Sequence, residues 1–323
     1  MSRMMLSVLW LICALLGSAA AQDFPSKPVI FTVPFAAGGP ADVIARVLAH
    51  GMSRVLDQQF VVENTAGAGG TIGTAKVAAS APDGYSLLLM HVTHAANVAF
   101  YPNLRYDPVK DFEPIGMVAE SPMAFVARKD FPANTFQEFV DYVKANKEKM
   151  TYGFAGVGSA SHLCSLLFFD AIDTTISGAP YKGTAPALND LMGGHLDFMC
   201  DQTLNVLQPA NTGLVKAYAT TMPQRLKVAP DLPTASESGL PGFQMMVWYG
   251  MYAPRGTPKP IIEKLSTALQ KALQDPEVKE RLAQSGAETV APERARPEVL
   301  RAYLSSEIER WVPIIKKAGV QSQ

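Results

Sequence analysis

The sequence predicts an α/β protein of two lobes joined by two crossing strands. Three observations predict it. Short β-rich runs alternate with amphipathic helices from Val29 onward, the alternation breaks near residue 120 and restarts, and a long apolar strand returns at Met246–Ala253. Strands that alternate with helices call for a parallel sheet covered by helices. A break, a second run and a late return strand call for two such sheets. On this reading lobe I holds residues 22–122 and 250–323, and lobe II holds residues 123–249.

Taken in order, Val29–Phe35 reads as a strand and Ala41–Leu56 as a helix, with Ile44, Val47, Leu48, Val55 and Leu56 on one side at close to helical period. Phe60–Glu63 is a second strand, Gly70–Ser80 a helix of small residues and Tyr85–Met90 a continuous apolar strand. Gly116–Val118 and Met123–Arg128 are β-like and flank Glu120-Ser-Pro122. Thr135 then caps a helix to about Asn146, with Glu138 in the capping-box place. Strands follow at Thr151–Phe154, Gly178–Tyr181, Leu196–Cys200 and Val215–Thr220, with helices at Ser161–Phe169 and Ala185–Met192 between them. The tail is helical over Lys259–Gln274, Pro276–Ser285 and Glu298–Lys317. The last helix carries Leu300, Leu304, Ile308, Trp311 and Ile315 as a stripe, and Pro313 is expected to kink it. No solenoid repeat or low-complexity linker interrupts the pattern.

Residues 1–21 read as an export leader. Arg3 precedes an apolar run from Met4 to Leu16, and Ala19 and Ala21 suit cleavage before Gln22. That run is shorter than the roughly 20 residues a bilayer span needs. A lipoprotein reading through Cys13 is disfavoured, because bulky Ile12 precedes it. The chain is therefore expected to work in the periplasm. Removing the leader moves the formal net charge from −1 to −2. No basic excess exists to attract nucleic acid or an anionic membrane, so an anionic ligand needs local recognition. Cys164 and Cys200 remain after cleavage. In an oxidising compartment they form a disulfide or stay as two buried thiols, and the residues leave both readings open.

The sharpest motif lies at Phe35-Ala-Ala37-Gly38-Gly39, where a strand gives way to a helix beginning near Pro40. Proline suits the first helical position. Free N–H groups of the glycines and the first turn suit an anion, helped by the helix dipole. Asp42 is expected to cap its own helix start. Gly67-Ala-Gly-Gly-Thr-Ile-Gly73 fits neither dinucleotide nor P-loop spacing and reads as a tight packing loop. His91 and Thr93 follow a strand whose carboxyl end should face the same crevice. Hydrogen bonding is preferred there over a His91/His94 metal site, because no carboxylate stands at matching spacing. Gly156-Val-Gly158-Ser159-Ala-Ser161-His162 opens a helix in lobe II and offers a second nest of amides and hydroxyls. A Ser159–His162 hydrolase lacks the nucleophile-elbow pattern, so no catalytic residue is expected. Gly183 and Thr184 form another strand-to-helix turn, with Lys182 expected to face solvent. Asp201 is the one acid placed at the crevice, as a partner for a ligand ammonium or a cap on the following helix.

Together these pieces resemble the Bug-type receptors, the extracytoplasmic solute-binding proteins of tripartite tricarboxylate transporters. The resemblance runs through Val33-Pro-Phe-Ala-Ala-Gly-Gly-Pro-Ala-Asp42, Val62-Glu-Asn-Thr-Ala-Gly-Ala-Gly-Gly70, Ala81-Pro-Asp-Gly-Tyr85 and Tyr106-Asp-Pro-Val-Lys-Asp-Phe112. It continues through Gly156-Val-Gly-Ser159 with His162-Leu163, Pro180-Tyr-Lys-Gly183, Asp190-Leu-Met-Gly-Gly194, Pro230-Asp-Leu-Pro-Thr234 and Ala253-Pro254. It implies a type II periplasmic-binding-protein fold closing on a small carboxylate, without catalysis, cofactor or metal. It maps ligand contacts onto the Phe35–Gly39 loop, the Thr93 region, the Gly156–Ser159 loop, Gly183-Thr184 and Asp201. It also implies a monomeric receptor handing its ligand to membrane permease subunits. A receptor presenting ligand to a sensor kinase is the alternative, since both need the same closure. Phe154 and His91 depart from the family pattern and add bulk near the expected crevice.

Overall fold

The computed structural model describes residues 24–284 and 286–318. The expected leader lies outside them. In the first sheet, β1 (Val29–Val33) runs parallel to both β2 (Phe60–Asn64) and β3 (Ser86–His91). The covering helices are α1 (Pro40–Leu56), α2 (Thr71–Ala78) and α3 (Thr93–Phe100). Pro40 opens α1 after a Gly39 in extended conformation, and Ile44, Ala45, Leu48 and Met52 form its buried face. Ile44, Val47 and Leu48 of the expected face pack, whereas Val55 is exposed and Leu56 half-buried, because the buried stripe ends at Met52 before the last turn.

β4 (Phe112–Arg128) is one continuous strand of 17 residues, which corrects the reading of two short strands around Glu120-Ser-Pro122. Its first half, Phe112–Pro122, pairs antiparallel with β9 (Met246–Pro254) in the first sheet. Its second half, Met123–Arg128, pairs with β7 (Phe198–Gln202) and β8 (Val215–Thr220) in the second. Pro122 is therefore the last residue before the strand changes sheets, where a missing donor does the least harm. The second sheet continues through β5 (Thr151–Phe154), parallel to β7 and to β6 (Ser177–Pro180). Its helices are α4 (Phe136–Ala145), α5 (Ala160–Ala171), α6 (Thr184–Met192) and α7 (Thr203–Asn211). Thr135 accepts the amide of Glu138 at the head of α4, as the capping box requires.

An aromatic cluster fills this lobe. Phe125, Phe139, Phe168 and Phe198 are fully buried and touch at centroid separations from 4.8 to 6.3 Å. Cys164 and Cys200 are bonded, with Cα atoms 6.1 Å apart, so the disulfide reading holds and α5 is tied to β7.

The chain then returns to the first lobe through α8 (Lys259–Gln274), α9 (Pro276–Ala283), the two-residue β10 (Glu288–Thr289) and α10 (Pro297–Ala318), which contains Pro313. β10 pairs with β4 at Ala119 and Glu120. Near the sheet change, Trp248 lies opposite Glu120 in the ladder, and Arg294 pairs with Glu120 at 2.7 Å. The indole N–H of Trp248 donates to the buried Glu307 carboxylate at 2.8 Å, and that of Trp311 donates to the same oxygen at 3.0 Å.

Candidate functional site

The carboxyl ends of β1, β3, β5 and β7 meet in a cleft between the lobes. Phe35, Gly39, Ala41 and His91 line it from the first lobe, and Ser159, Ser161, Thr184, Asp201 and Gln202 from the second. The walls stand close enough to leave about 20 Å³, room for roughly one water. Direct hydrogen bonds hold the lobes together. Ala36 N–H donates to the Lys182 carbonyl at 3.2 Å, the Asn205 amide to the Gly38 carbonyl at 2.7 Å, and the Tyr101 hydroxyl to the Val157 carbonyl at 2.9 Å.

Three helices begin at this cleft: α1 from the first lobe, α5 and α6 from the second. The first-turn amides of a helix have no acceptor within it and carry the positive end of its dipole. Those of Ala41, Ala160 and Thr184 belong to cleft-lining residues. The glycine loop works differently from the sequence expectation. The Gly38 amide donates to Asp42 Oδ2 at 2.9 Å, an oxygen that also accepts from Arg46 Nε at 2.9 Å. Ala37 and Gly38 are exposed and lie outside the cleft lining. The Asp42 carboxyl, taking those hydrogen bonds, is held below its ordinary value against the cost of its burial.

On α5, Ser159 Oγ accepts the amide of His162 at 3.3 Å, a helix cap, and Ser161 Oγ accepts the amide of Ala155 at 2.9 Å. His162 Nδ1 accepts from Gly158 N–H at 3.2 Å and the ring stacks on Phe154 at 4.5 Å. Among the described residues no bond joins the Ser159 hydroxyl to the His162 imidazole, so the pair is structural. Phe154 is buried beneath that ring, outside the cleft lining.

Asp201 is 1% exposed. The Thr184 hydroxyl sits 2.9 and 3.1 Å from its two oxygens, and Gln202 N–H donates to it at 2.7 Å. Burial pushes its pKa up to about 7, with these donors and Ser161 opposing the rise. Among the described residues no lysine or arginine lines the cleft. His91 stacks on Phe35 at 4.8 Å and meets Tyr249 edge-on at 5.3 Å. Its Nδ1 accepts from Thr93 N–H at 3.3 Å, which leaves Nε2 as the protonated nitrogen. Burial, then neighbouring His94, lowers its pKa to about 3, so the ring is a neutral donor. The Tyr249 hydroxyl donates to Gln202 Oε1 at 2.7 Å and aims the amide nitrogen of Gln202 away from it.

Of the residues expected at the site, the cleft brings together Phe35, Gly39, His91, Ser159, Thr184 and Asp201. Thr93 is fully buried behind it. Gly156, Gly158 and Gly183 stand at the lobe-to-lobe contact instead. A Cβ on Gly158 would meet Asn97 Oδ1 at 2.5 Å, and one on Gly183 would meet Ala36 at 2.9 Å. Pro40, Ala41, Ala155, Ala160 and Gln202 line the cleft without having been expected there. Only their position at strand ends and helix starts marks them in the sequence. Among the described residues no cluster of three or more His, Cys, Asp or Glu side chains is arranged to hold a metal. His94 is sealed between Tyr106, Phe112 and Tyr252. A wider groove of about 1020 Å³ opens beside β8, but one lobe alone lines it, so lobe closure would enclose nothing there.

The Gly183 contact yields a clean test of closure. Its backbone is extended, at φ 164°, so any residue adopts it, yet an added methyl collides with the backbone of Ala36 across the cleft. Gly183→Ala is therefore expected to leave the fold intact and weaken ligand binding about tenfold, measured by calorimetric titration.

Two α/β sheets sharing a crossing strand, with helix starts converging at their carboxyl ends, define a two-lobed periplasmic solute-binding receptor rather than an enzyme. The chain belongs to the tripartite tricarboxylate transporter receptor family, TctC, whose family model matches residues 44–320. It is 49% identical to the periplasmic binding protein BugD, with a TM-score of 0.90 over 93% of this chain and 100% of BugD. It is 42% identical to MatC from Rhodopseudomonas palustris, solved with bound malate, with a TM-score of 0.87 over 90% of this chain and 100% of MatC. A further R. palustris protein, solved with adipate, is 31% identical, with a TM-score of 0.88 over 93% of this chain and 99% of that one.

Proposed function

We propose that this protein captures a small carboxylate, an organic acid or an acidic amino acid, between its lobes and delivers it to the permease of a tripartite tricarboxylate transporter. The observation that carries this reading is the convergence of α1, α5 and α6 on one cleft without a lysine or arginine in its lining. Helix-start amides supply positive potential to an anion at no cost in side-chain ordering. The neutral donors on His91 and Gln202 suit a second carboxylate or a hydroxyl. Malate in MatC and adipate in its R. palustris relative support the carboxylate class. We assign the lobes as residues 22–122 with 250–323, and 123–249, swinging about the sheet change in β4 as a hinge. The protein works as a periplasmic monomer, its leader removed after Ala21, and closure creates the surface the permease reads.

Thermal-shift and calorimetric titration against mono-, di- and tricarboxylates and acidic amino acids test the reading. Saturable binding of at least one class is expected, and no response from any would overturn it. Gly39→Val sharpens the test. Gly39 has φ −82°, and an added Cβ meets nothing nearer than the Ala36 carbonyl at 3.4 Å, so the fold tolerates a side chain. The valine methyls would fill the mouth of the cleft beside Thr184, and affinity should fall about 100-fold with unchanged circular dichroism.

A further inference from the structure

The charge inventory of the cleft is unusual for a site that takes anions. Asp201 is an acid inside the wall, and its hydrogen-bond partners, Thr184 and the Gln202 amide, are all neutral. The ionisable groups around it supply no cation. His91 on β3 and His162 on α5 are buried and neutral, their pKa values lowered to about 3 and about 4 by desolvation. Burial drives the Tyr249 hydroxyl on β9 far up, so it stays protonated. On α1, Asp42 is itself an acid, and Arg46 is already bound to it with half its side chain in solvent. β4 brings Ala124 opposite Asp201, and α6 brings Thr184, neither of them ionisable. An ionised Asp201 and a ligand dianion in so small a space would repel through a poorly screening medium.

We propose that Asp201 makes capture charge-selective: a diacid bearing an ammonium binds against the ionised carboxylate, whereas a diacid without one binds only with a proton on Asp201. This rests on the carboxylate-receptor reading above. The proton comes from solvent and leaves with the ligand, so plain diacids bind with proton uptake wherever the free receptor has lost that proton. Amino diacids bind with proton release wherever the free receptor still holds it. Because Asp201 titrates near pH 7 in the closed conformation described above, the two ligand classes should respond to pH in opposite directions on either side of neutrality.

Malate and aspartate are the probes, since they share a carbon skeleton and differ in a hydroxyl against an ammonium. Calorimetric titrations of the mature chain at about pH 6 and about pH 8.5, in two buffers of different ionisation enthalpy, read both affinity and protons exchanged. Malate affinity should fall about tenfold per pH unit above neutrality, with proton uptake; aspartate affinity should fall by a similar factor per unit below neutrality, with proton release. Asp201→Asn should abolish the pH dependence for malate and weaken aspartate about 100-fold. Thr184→Val removes a donor that favours the ionised acid, so it should move the malate profile to higher pH. Parallel pH profiles for the two ligands, or a malate slope that survives Asp201→Asn, would overturn the proposal while leaving the receptor reading standing. If neither ligand binds at any pH, this proposal falls, and the receptor reading is decided separately by the wider carboxylate and amino-acid screen.

Discussion

Replacing Cys164 and Cys200 together by alanine should lower the unfolding free energy by about 3–4 kcal/mol, the loop-closure value for a crosslink of this span. The bond spans 36 residues and joins α5 to β7. Unfolded chains held by such a link have fewer conformations to gain, so its loss favours the unfolded state. The position adds a second effect. Cys164 follows the cleft residues Ser159 and Ser161 by about one turn, and Cys200 adjoins Asp201. Without the link the helix start and the buried acid are positioned by packing alone, so ligand affinity should drop along with stability. Urea denaturation of the double mutant, compared with wild type with and without reductant, checks the first effect. Reduced wild type should match the mutant. Equal midpoints for all three would show that the crosslink contributes nothing.

Asp201→Asn should have the opposite sign in stability. The carboxyl titrates near pH 7 in the folded chain, against an ordinary value of 3.8. Between those two pH values the native state holds a proton that the unfolded state has released. Unfolding free energy therefore falls as pH rises through that window and levels above it, by about 4 kcal/mol in total. Asparagine keeps the hydrogen-bonding shape and removes the ionisation. The mutant should thus be more stable than wild type at about pH 8 by an amount of that order, with little difference at about pH 4. Chemical denaturation across pH, without ligand, is the measurement. A wild-type profile as flat as the mutant's would show that Asp201 is already ionised at no cost. On the charge-selective reading proposed above, the native acid would trade resting stability for ligand recognition.

Much of this architecture was legible from residue order. The α1 face of Ile44 and Leu48, the Thr135 cap and the return strand at Met246 follow from local chemistry that tertiary packing did not override. Pro122 was misleading because a proline inside a strand normally signals a break. Here it is the last position paired with β9 before β4 turns to other partner strands, where a missing donor does the least harm. α3 went unread, and α7 was anticipated only as a helix following Asp201 without bounds, for a different reason. Thr93-His-Ala-Ala-Asn97 is buried throughout, so it shows no amphipathic period, and α7 carries Pro209 inside it. At the site, the Gly38-Gly39 turn was visible but its hydrogen bonding was not. Whether Asp42 claims the Gly38 amide depends on a side-chain rotamer and on Arg46, which no motif encodes. The glycines at 158 and 183 were legible as an amide nest and a strand-to-helix turn, but what approaches them belongs to the other lobe, and pairing across lobes is a property of the closed shape.

The shared carboxylate of Glu307 has a practical corollary. Trp248 sits two residues into β9, beside the place where β4 changes sheets, and hangs with Trp311 from one anionic oxygen. On the hinge reading proposed above, rotation about that place should alter the field felt by an indole that water does not reach, and emission intensity and wavelength should report the swing. The receptor would then carry its own optical gauge, and metabolites could be screened against it unlabelled in a plate reader.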